Sequence, residues 1–264
     1  MNGHLSIEGI GLYGPGLPDW QKGRAVLRGE KAWQPDLPSL PAPLVLPPTE
    51  RRRVGLPVRI ALATGLEALA QAQVDPVGLA TVFSSSGGDC DNCHHLLETL
   101  AGNERQVSPT RFHNSVHNAP SGYWSIATGC RRPSTSLGAW DGSFSAGLLE
   151  TAGQVWRTGE PCLLFAYDMA YPEPLHALRP IPGAFGLALL LAPERTARSL
   201  ASLTLAAEAA EPDRMGEAWA ENLRARVPSA RGLPLLRALA CGQSAREVVI
   251  EYLPSFHLRL GVMP

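Results

Sequence analysis

Short apolar runs alternate with segments of helical periodicity along most of the chain. Residues 5–12 place Leu5 and Ile7 in alternation before a glycine-bearing exit, which predicts a strand at the centre of a sheet. Residues 58–73 carry apolar side chains at helical spacing, and Asp75-Pro76 ends that predicted helix. The same criteria predict strands over residues 80–84, 132–137, 162–167 and 183–191, and helices over residues 94–100, 120–127 and 146–157. This alternation predicts an α/β fold with a mixed, mostly parallel sheet and helices on both faces.

The remaining segments suggest a single domain over residues 1–264. Prolines across residues 35–48 predict an extended surface excursion, because proline cannot donate the backbone hydrogen bonds of regular structure. Residues 206–231 are charged and predicted helical. Residues 247–252 and 257–262 predict a terminal hairpin, within a divergent tail of about residues 204–264.

Composition excludes several classes of partner. Lys plus Arg is 23 and Asp plus Glu is 24, so a net charge of −1 gives no electrostatic basis for nucleic-acid binding or for an anionic membrane surface. No apolar run reaches the length of about 18 residues that a membrane span needs. Five cysteines, an odd number, predict reduced thiols and a cytoplasmic protein.

Residues 137–149 are the most informative stretch, because small residues crowd a predicted strand-to-helix turn. Acyl-transfer enzymes carry their nucleophile on turns of this kind. This turn holds Ser143 and Ser145, whereas the nearest cysteines, Cys130 and Cys162, lie outside it. The sequence therefore has the frame of an active site without a strong nucleophile for carbon–carbon bond formation.

The order of these motifs resembles the N-terminal half of β-ketoacyl synthases. In particular, it is similar to the short chain-length-factor-like subunits found with true ketosynthases in aryl-polyene and related pigment pathways. The resemblance covers roughly residues 5–200 and implies a truncated, thiolase-like fold. It is carried by residues 5–11, 61–70, 82–88, 115–122, 134–149 and 183–190.

Two departures from the family pattern remove chemistry. Alignment places Ser143, between Gly142 and Ser145, where the family has its nucleophilic cysteine. The family's two assisting histidines lie in its C-terminal half, but His257 is the only histidine after Leu191. Condensation needs a thiolate and donors for the enolate. The resemblance therefore implies a non-catalytic subunit, without metal or cofactor, that pairs with a catalytic ketosynthase as a heterodimer or larger assembly and helps shape the acyl-chain cavity.

We expect the interface to use residues 134–139 and residues 113–122, since subunits of this fold meet edge to edge through central strands. An acyl carrier protein would be an indirect partner. The missing second half predicts poor stability of the chain alone. The expected interface residues are Asn114, Ser115, His117, Asn118, Ser136, Gly138 and Trp140.

Other hypotheses remain open. Ser143 or Ser145 as the nucleophile would make the chain a serine acyltransferase or hydrolase. Cys130 or Cys162 as the nucleophile would make it a free-standing ketosynthase-like enzyme, which we rank lowest because neither lies at a strand-to-helix turn.

Two polar motifs have simpler interpretations, which we favour. The residues Cys90-Asp91-Asn92-Cys93-His94-His95 could bind zinc, but the motif lacks a second Cys-x-x-Cys pair, and an ordinary loop capped by Asp89 or Asp91 explains it. The run Arg51-Arg52-Arg53 could contact an acidic carrier protein, but such runs are more often only a solvated surface.

Overall fold

A computed structural model describes residues 3–103, 105–242 and 244–264. It contains an eight-stranded sheet with helices on both faces. The strands are β1 (His4–Tyr13), β2 (Ala80–Ser84), β3 (Ser134–Leu137), β4 (Cys162–Asp168), β5 (Phe185–Ala192), β6 (Ala201–Glu208), β7 (Arg246–Leu253) and β8 (Phe256–Met263). The helices are α1 (Trp20–Leu27), α2 (Pro48–Arg51), α3 (Leu56–Ala72), α4 (Cys90–Ala101), α5 (Pro109–Asn114), α6 (Ala119–Thr128), α7 (Ser143–Thr158), α8 (Leu175–Leu178), α9 (Ala218–Arg226) and α10 (Leu233–Cys241).

The strand order is β3-β2-β4-β5-β1-β6-β8-β7, so β1 lies inside the sheet as predicted. The prediction of a mostly parallel sheet is wrong. β2 pairs in parallel with β3 and with β4, whereas the other neighbouring pairs among the described strands are antiparallel. Parallel pairing needs a long crossover. Only the short helix α8 separates β4 from β5, and a tight turn joins β7 to β8.

Two apolar clusters fill the space between the sheet and its helices. On one face, α3 and α6 pack against β2, β4 and β5, with Trp124, Phe83 and Phe165 at the centre. On the other face, α7, α1 and α10 cover the sheet, and Phe144 and Leu148 of α7 are fully buried. Strands β6 to β8 contribute to this second cluster, so residues after 204 share the core of the rest.

Helix α3 lies unusually close to β1 because β1 has glycine at the contact. A Cβ atom on Gly9 would collide with the carbonyl oxygen of Ala68, and one on Gly11 with that of Thr64. The side chain of Glu67 then reaches the backbone and accepts from the N–H groups of Leu12 (2.8 Å) and Trp20 (2.6 Å). The contact joins the first strand to the longest helix.

Most predicted elements are present, with helices that begin earlier than predicted. α4 begins at Cys90 and α7 at Ser143, and the predicted terminal hairpin is β7–β8. The helical prediction for residues 206–231 is wrong at its start, because residues up to Glu208 belong to β6 and helix α9 begins only at Ala218. Helix α1 and strand β6 were not predicted.

The proline-rich residues 35–48 are irregular and mostly exposed, as predicted. They follow the surface of their own chain: the hydroxyl of Tyr13 donates to the carbonyl of Pro38 (2.8 Å), and Leu46 is buried. Among the described residues, no helix combines the length and the apolar character needed to cross a membrane.

Candidate functional site

The turn between β3 and α7 contains the sharpest backbone feature of the site. β3 ends at Leu137, residues 140–142 form one turn of 3₁₀ helix, and α7 begins at Ser143. Trp140 has a φ of 51°, in the left-handed region, which a bulky residue adopts only when its surroundings impose it. Nucleophile elbows are strained turns of this type. The strained position here is Trp140.

The two serines of the turn are held by hydrogen bonds within the chain. Ser143 has ordinary helical torsions, and its hydroxyl donates to the carbonyl of Trp140 (2.7 Å) and accepts from the N–H of Ala139 (3.0 Å). The hydroxyl of Ser145 donates to the carbonyl of Glu251 (2.8 Å). Both serines are buried, and within the described residues neither hydroxyl bonds a histidine. Their observed role is to fix the turn.

Trp140 projects outward and stacks with Arg179. Trp140 is 64% exposed, and the guanidinium carbon of Arg179 lies 3.7 Å from the centre of its indole ring. Arg179 also forms an ion pair with Asp141, the next residue of the turn. Cation–π and ion-pair contacts together hold the exposed indole in one position.

An ion-pair network ties the turn to the C-terminal part of the chain. Arg231 lies 3.4 Å from the carboxylate of Asp141 and 3.3 Å from that of Glu251. Arg224 lies 3.0 Å from Glu251 and 2.7 Å from Glu221. The two arginine side chains are only 8–10% exposed. Water therefore solvates their charges poorly, and the carboxylates balance those charges instead.

This network forms one wall of a cleft of about 760 Å³ beside the turn. The cleft is lined by oppositely charged side chains and by two aromatic ones. Besides the network residues, Trp140, Glu211, Arg214, Tyr252 and His257 line it. His257 accepts from the backbone N–H of Tyr252 through Nδ1 (3.2 Å), so it forms part of the β7–β8 hairpin.

A buried carboxylate holds the loop after β2. Asp168, at the end of β4, accepts from the N–H (2.8 Å) and hydroxyl (2.6 Å) of Ser86 and from the N–H of Ser229 (2.7 Å). Burial raises the pKa of Asp168, and these donors oppose that shift. Asp168 therefore connects two loops beside the turn.

The stretch 113–122 is divided between buried and exposed residues. Asn114 is buried; its amide donates to the carbonyl of Arg53 (2.7 Å), and its oxygen accepts from the hydroxyl of Tyr123 (3.0 Å). His117 is exposed, and its Nε2 lies 3.1 Å from the carbonyl of Leu137. Asn118 is exposed and makes no side-chain cap to α6. Asn114 is thus inside the fold, whereas His117 and Asn118 are at the surface. The interface role predicted for these three residues stays a prediction.

The two edges of the sheet differ. At β7, the backbone N–H of Val249 donates to the carboxylate of Asp213 (2.9 Å), and its carbonyl accepts from the N–H of Asp213 (2.9 Å). At the opposite end, β3 pairs only with β2 among the described strands. β3 carries no charged residue, and Gly138 just beyond it is exposed. Ser136 has a buried hydroxyl without a partner in the described part of the chain.

A shallow apolar groove of about 680 Å³ lies between α4 and α5. Leu97 and Phe112 line it and are 66% and 69% exposed. Ser115, predicted at the interface, also lines the groove, and its hydroxyl donates to the carbonyl of Phe112 (2.8 Å). The groove is thus continuous with the 113–122 stretch, which reaches β3 through His117.

The two cysteines nearest to the turn in sequence are poor candidates for a catalytic nucleophile. Cys130 and Cys162 are buried, and burial raises the pKa of Cys162 to about 12. Asp89 caps α4 by accepting from the N–H of Asn92 (3.1 Å), in line with the simpler interpretation of the Cys-x-x-Cys motif. In the ranges that the structure describes, no group of three or more His, Cys, Asp or Glu residues could hold a metal ion.

Sequence reasoning missed the charged residues that organise the site. Arg179 and Glu251 are brought to the turn by segments distant in sequence, so no local pattern marks them. Asp168 and Arg231 could have been suspected from the sequence, because each is a charged residue next to an apolar run, and the fold buries both.

Comparisons with known proteins agree on one family and one fold. A family model for the β-ketoacyl synthase N-terminal domain matches residues 20–251, which extends past residue 200, where the resemblance was expected to end. The chain is similar to a ketosynthase (ApeO) in complex with its chain length factor (ApeC) from Xenorhabdus doucetiae, with a TM-score of 0.73, 22% identity, and coverage of 97% of this chain and 98% of that chain.

Two further structures resemble it over their full length. The ishigamide ketosynthase/chain length factor gives a TM-score of 0.72 at 15% identity and covers 98% of this chain and 99% of that chain. A type II polyketide synthase acyl-carrier protein in complex with its ketosynthase bound to the hexaketide (AntDE:AntF) gives a TM-score of 0.77 at 12% identity. The match covers 100% of this chain and 99% of that chain. No curated protein matches the chain. At these identities the structural matches establish a thiolase-like ketosynthase fold.

Proposed function

This chain belongs to the family of the β-ketoacyl synthase N-terminal domain, and from that membership we propose that it is a non-catalytic, chain-length-factor-like subunit of a polyketide-type synthase. Its partner is a catalytic ketosynthase, with which it forms a heterodimer or a larger assembly. We extend the proposal to aryl-polyene-type or fatty-acid-like chains, on the sequence resemblance to subunits of those pathways.

The observation that carries the proposal is the turn whose strained position is occupied by an indole. Trp140 has neither a thiol nor a hydroxyl to attack a thioester, and Ser143 and Ser145 are buried and bonded to backbone carbonyls. A serine also needs an adjacent base to be activated. That Ser143 stands where the family has its nucleophile stays a prediction from the sequence. The left-handed backbone of Trp140, compared with the helical backbone of Ser143, favours Trp140 as the residue at that position.

The open β3 edge and the exposed Trp140 support the proposed interface. An uncharged edge strand with free backbone groups favours pairing with another strand. Exposed tryptophan and arginine side chains are the residues that most often anchor protein interfaces. Here Trp140 and Arg179 are stacked beside the end of β3. We propose that β3, His117, Asn118 and this pair face the ketosynthase.

The apolar groove supports a role in shaping the acyl-chain cavity. Leu97, Leu100 and Phe112 expose apolar surface that water disfavours, and the groove adjoins the proposed interface. A ketosynthase docked at β3 would lie beside this surface, and an apolar chain growing from the partner's site would be kept from water there. The acyl carrier protein would then contact mainly the catalytic partner.

Co-purification tests the pairing. We expect the chain to bind a catalytic ketosynthase encoded beside it, and Trp140→Ala to weaken that binding at least tenfold, because anchor residues typically contribute about 2 kcal/mol or more. Leu44→Ala is the matched control, since Leu44 is 70% exposed in the proline-rich segment. Calorimetry of the purified subunits measures both. Equal losses in the two variants would contradict the proposed interface.

An activity assay tests the absence of catalysis. The isolated chain is expected to make no ketoester from malonyl and acyl thioesters, whereas the complex makes it. Product formed by the isolated chain would overturn the proposal. The serine hydrolase hypothesis has its own test, because a fluorophosphonate label that disappears in Ser143→Ala or Ser145→Ala would support it.

A further inference from the structure

Cys90 and Cys93 form a Cys-x-x-Cys pair in the first turn of α4, which follows strand β2 and its glycine loop. Residues three apart on a helix lie on the same face, with Cβ atoms about 5–6 Å apart. A disulfide needs Cβ atoms about 3.5–4.5 Å apart. The two Cβ atoms must therefore approach by about 1–2 Å before a disulfide can form, which requires the first helical turn to tighten.

Both thiols can be reached from outside the protein. Cys90 lines a cleft of about 680 Å³ between the start of α3 and α4, and Cys93 lines the apolar groove between α4 and α5. Both residues are partly exposed, unlike Cys130 and Cys162. A small disulfide can thus approach the pair without unfolding of the helix.

The thiols have weak partners. The Sγ–H of Cys90 donates to the carbonyl of Gly87 (3.2 Å), and that of Cys93 donates to the carbonyl of Ser115 (3.8 Å). Burial raises the pKa of Cys90 to about 11 and also raises the pKa of Cys93. Both are therefore protonated at neutral pH. A dithiol whose reduced form gains no stabilised thiolate is more reducing than one whose reduced form does. Its small thiolate fraction makes exchange with a disulfide slow at neutral pH.

We infer that Cys90 and Cys93 are a redox-active dithiol that closes to an intramolecular disulfide by exchange with a small-molecule disulfide such as oxidised glutathione. One thiol loses its proton, attacks a sulfur of the small disulfide and releases one small thiol. The second cysteine then loses its proton, attacks the mixed disulfide and releases the other small thiol. Two electrons pass from the two cysteines to the small disulfide.

Closure changes the structure around the pair. A disulfide has no S–H group, so the carbonyls of Gly87 and Ser115 lose these donors. Gly87 belongs to the loop after β2, and Ser115 ends α5. Oxidation is thus expected to loosen α5 from α4 and to alter the apolar groove between them. This effect does not depend on which subunit the chain binds.

The test is equilibration of the full chain in glutathione buffers, followed by alkylation of free thiols and peptide mass spectrometry. We expect a Cys90–Cys93 disulfide within one chain, with Cys130 and Cys162 still reduced. Cys90→Ser and Cys93→Ser are expected to yield only a glutathione adduct on the remaining cysteine. Cys241→Ser, which removes a partly exposed cysteine outside the pair, is the matched control and should oxidise as the unaltered chain does.

Two results would overturn the inference. The first is a glutathione adduct on Cys90 or Cys93 of the unaltered chain, with no disulfide between them, in strongly oxidising buffer. The second is oxidation that gives disulfides between chains and rises with protein concentration. Hydrogen exchange reports the structural effect: the backbone amides of residues 110–115 should exchange faster after oxidation, and an unchanged rate would refute the coupling to α5.

Discussion

At the scale of single residues, several buried or half-buried polar side chains of this chain are fixed by hydrogen bonds to backbone groups. Ser145 bonds Glu251, Asp168 bonds two loops, and Glu67 bonds β1 and the start of α1. Polar side chains with this number of partners keep the loops in one arrangement. The same arrangement disfavours Ser145 as a nucleophile, because its hydroxyl is already used.

Glu67 gives a pH-dependent prediction. Burial raises its pKa to about 7 from an ordinary value of 4.5, while the N–H groups of Leu12 and Trp20 lower it. The folded state therefore holds the proton more tightly than the unfolded state. Its contribution to stability is complete below about pH 4.5 and is lost as the pH rises through about 7, with an upper limit of about 3 kcal/mol.

Glu67→Gln should remove this pH dependence. Urea unfolding at pH 5 and pH 8 measures the difference in unfolding free energy, which we expect to be smaller in the variant than in the unaltered chain. Glu194→Gln, at an exposed glutamate, controls for loss of charge. If Glu67→Gln and Glu194→Gln gave the same pH dependence, the assignment to Glu67 would be wrong.

At the scale of elements, the strands and helices with strong periodicity were predictable from the sequence, but their directions were not. The bounds of β2 were predicted to the residue, because Ala80–Ser84 is a short apolar run between turns. The antiparallel pairing of β4 with β5 was not predicted, since it depends on the path of a connection with little pattern of its own. The sequence did contain a pattern that could have predicted strand β6, because the apolar residues Ala201, Leu203 and Leu205 alternate with polar ones, and all three are buried.

The candidate site was predictable only in part. The strand-to-helix turn was located from its small residues, and the absence of a cysteine there was evident in the sequence. The strained backbone of Trp140 was not evident in the sequence, because the residues that contact Trp140, such as Arg179, lie far away along the chain. Local propensity carries no information about such contacts.

The packing of α3 on β1 gives a prediction at this scale. Gly11→Ala should destabilise the fold by about 1–3 kcal/mol, because the added methyl group collides with the carbonyl oxygen of Thr64 and the helix must move. Thermal unfolding measures the loss. Gly153→Ala is the matched control: it lies in α7 with no atom near the added Cβ, and alanine should stabilise that helix by up to about 1 kcal/mol. Equal effects would refute the close contact.

At the scale of the whole molecule, the C-terminal segments complete the site. β7 supplies Glu251, α9 supplies Arg224, and Arg231 lies between them and the turn. Side chains of these segments also line the cleft beside the turn. The walls of the cleft are therefore incomplete without them.

The ion-pair network predicts a large effect of one arginine. Arg224→Ala should destabilise the whole chain by about 1.5–3 kcal/mol, because Glu221 and Glu251 would lose charge-assisted hydrogen bonds from a nearly buried guanidinium. Arg226→Ala, at an exposed arginine of the same helix, should change stability by about 0.5 kcal/mol or less. Denaturant unfolding of both variants gives the comparison, and similar losses would show that the network contributes little.

The bonds from Asp213 to Val249 have a consequence for the size of any assembly. A sheet that adds strands at both ends can grow without limit, whereas one that is closed at one end accepts a single neighbour. Asp213 of the same chain covers the middle of the β7 edge at Val249. If β3 pairs with the proposed partner, we therefore expect the assembly to end in a pair along the sheet rather than to continue into a filament.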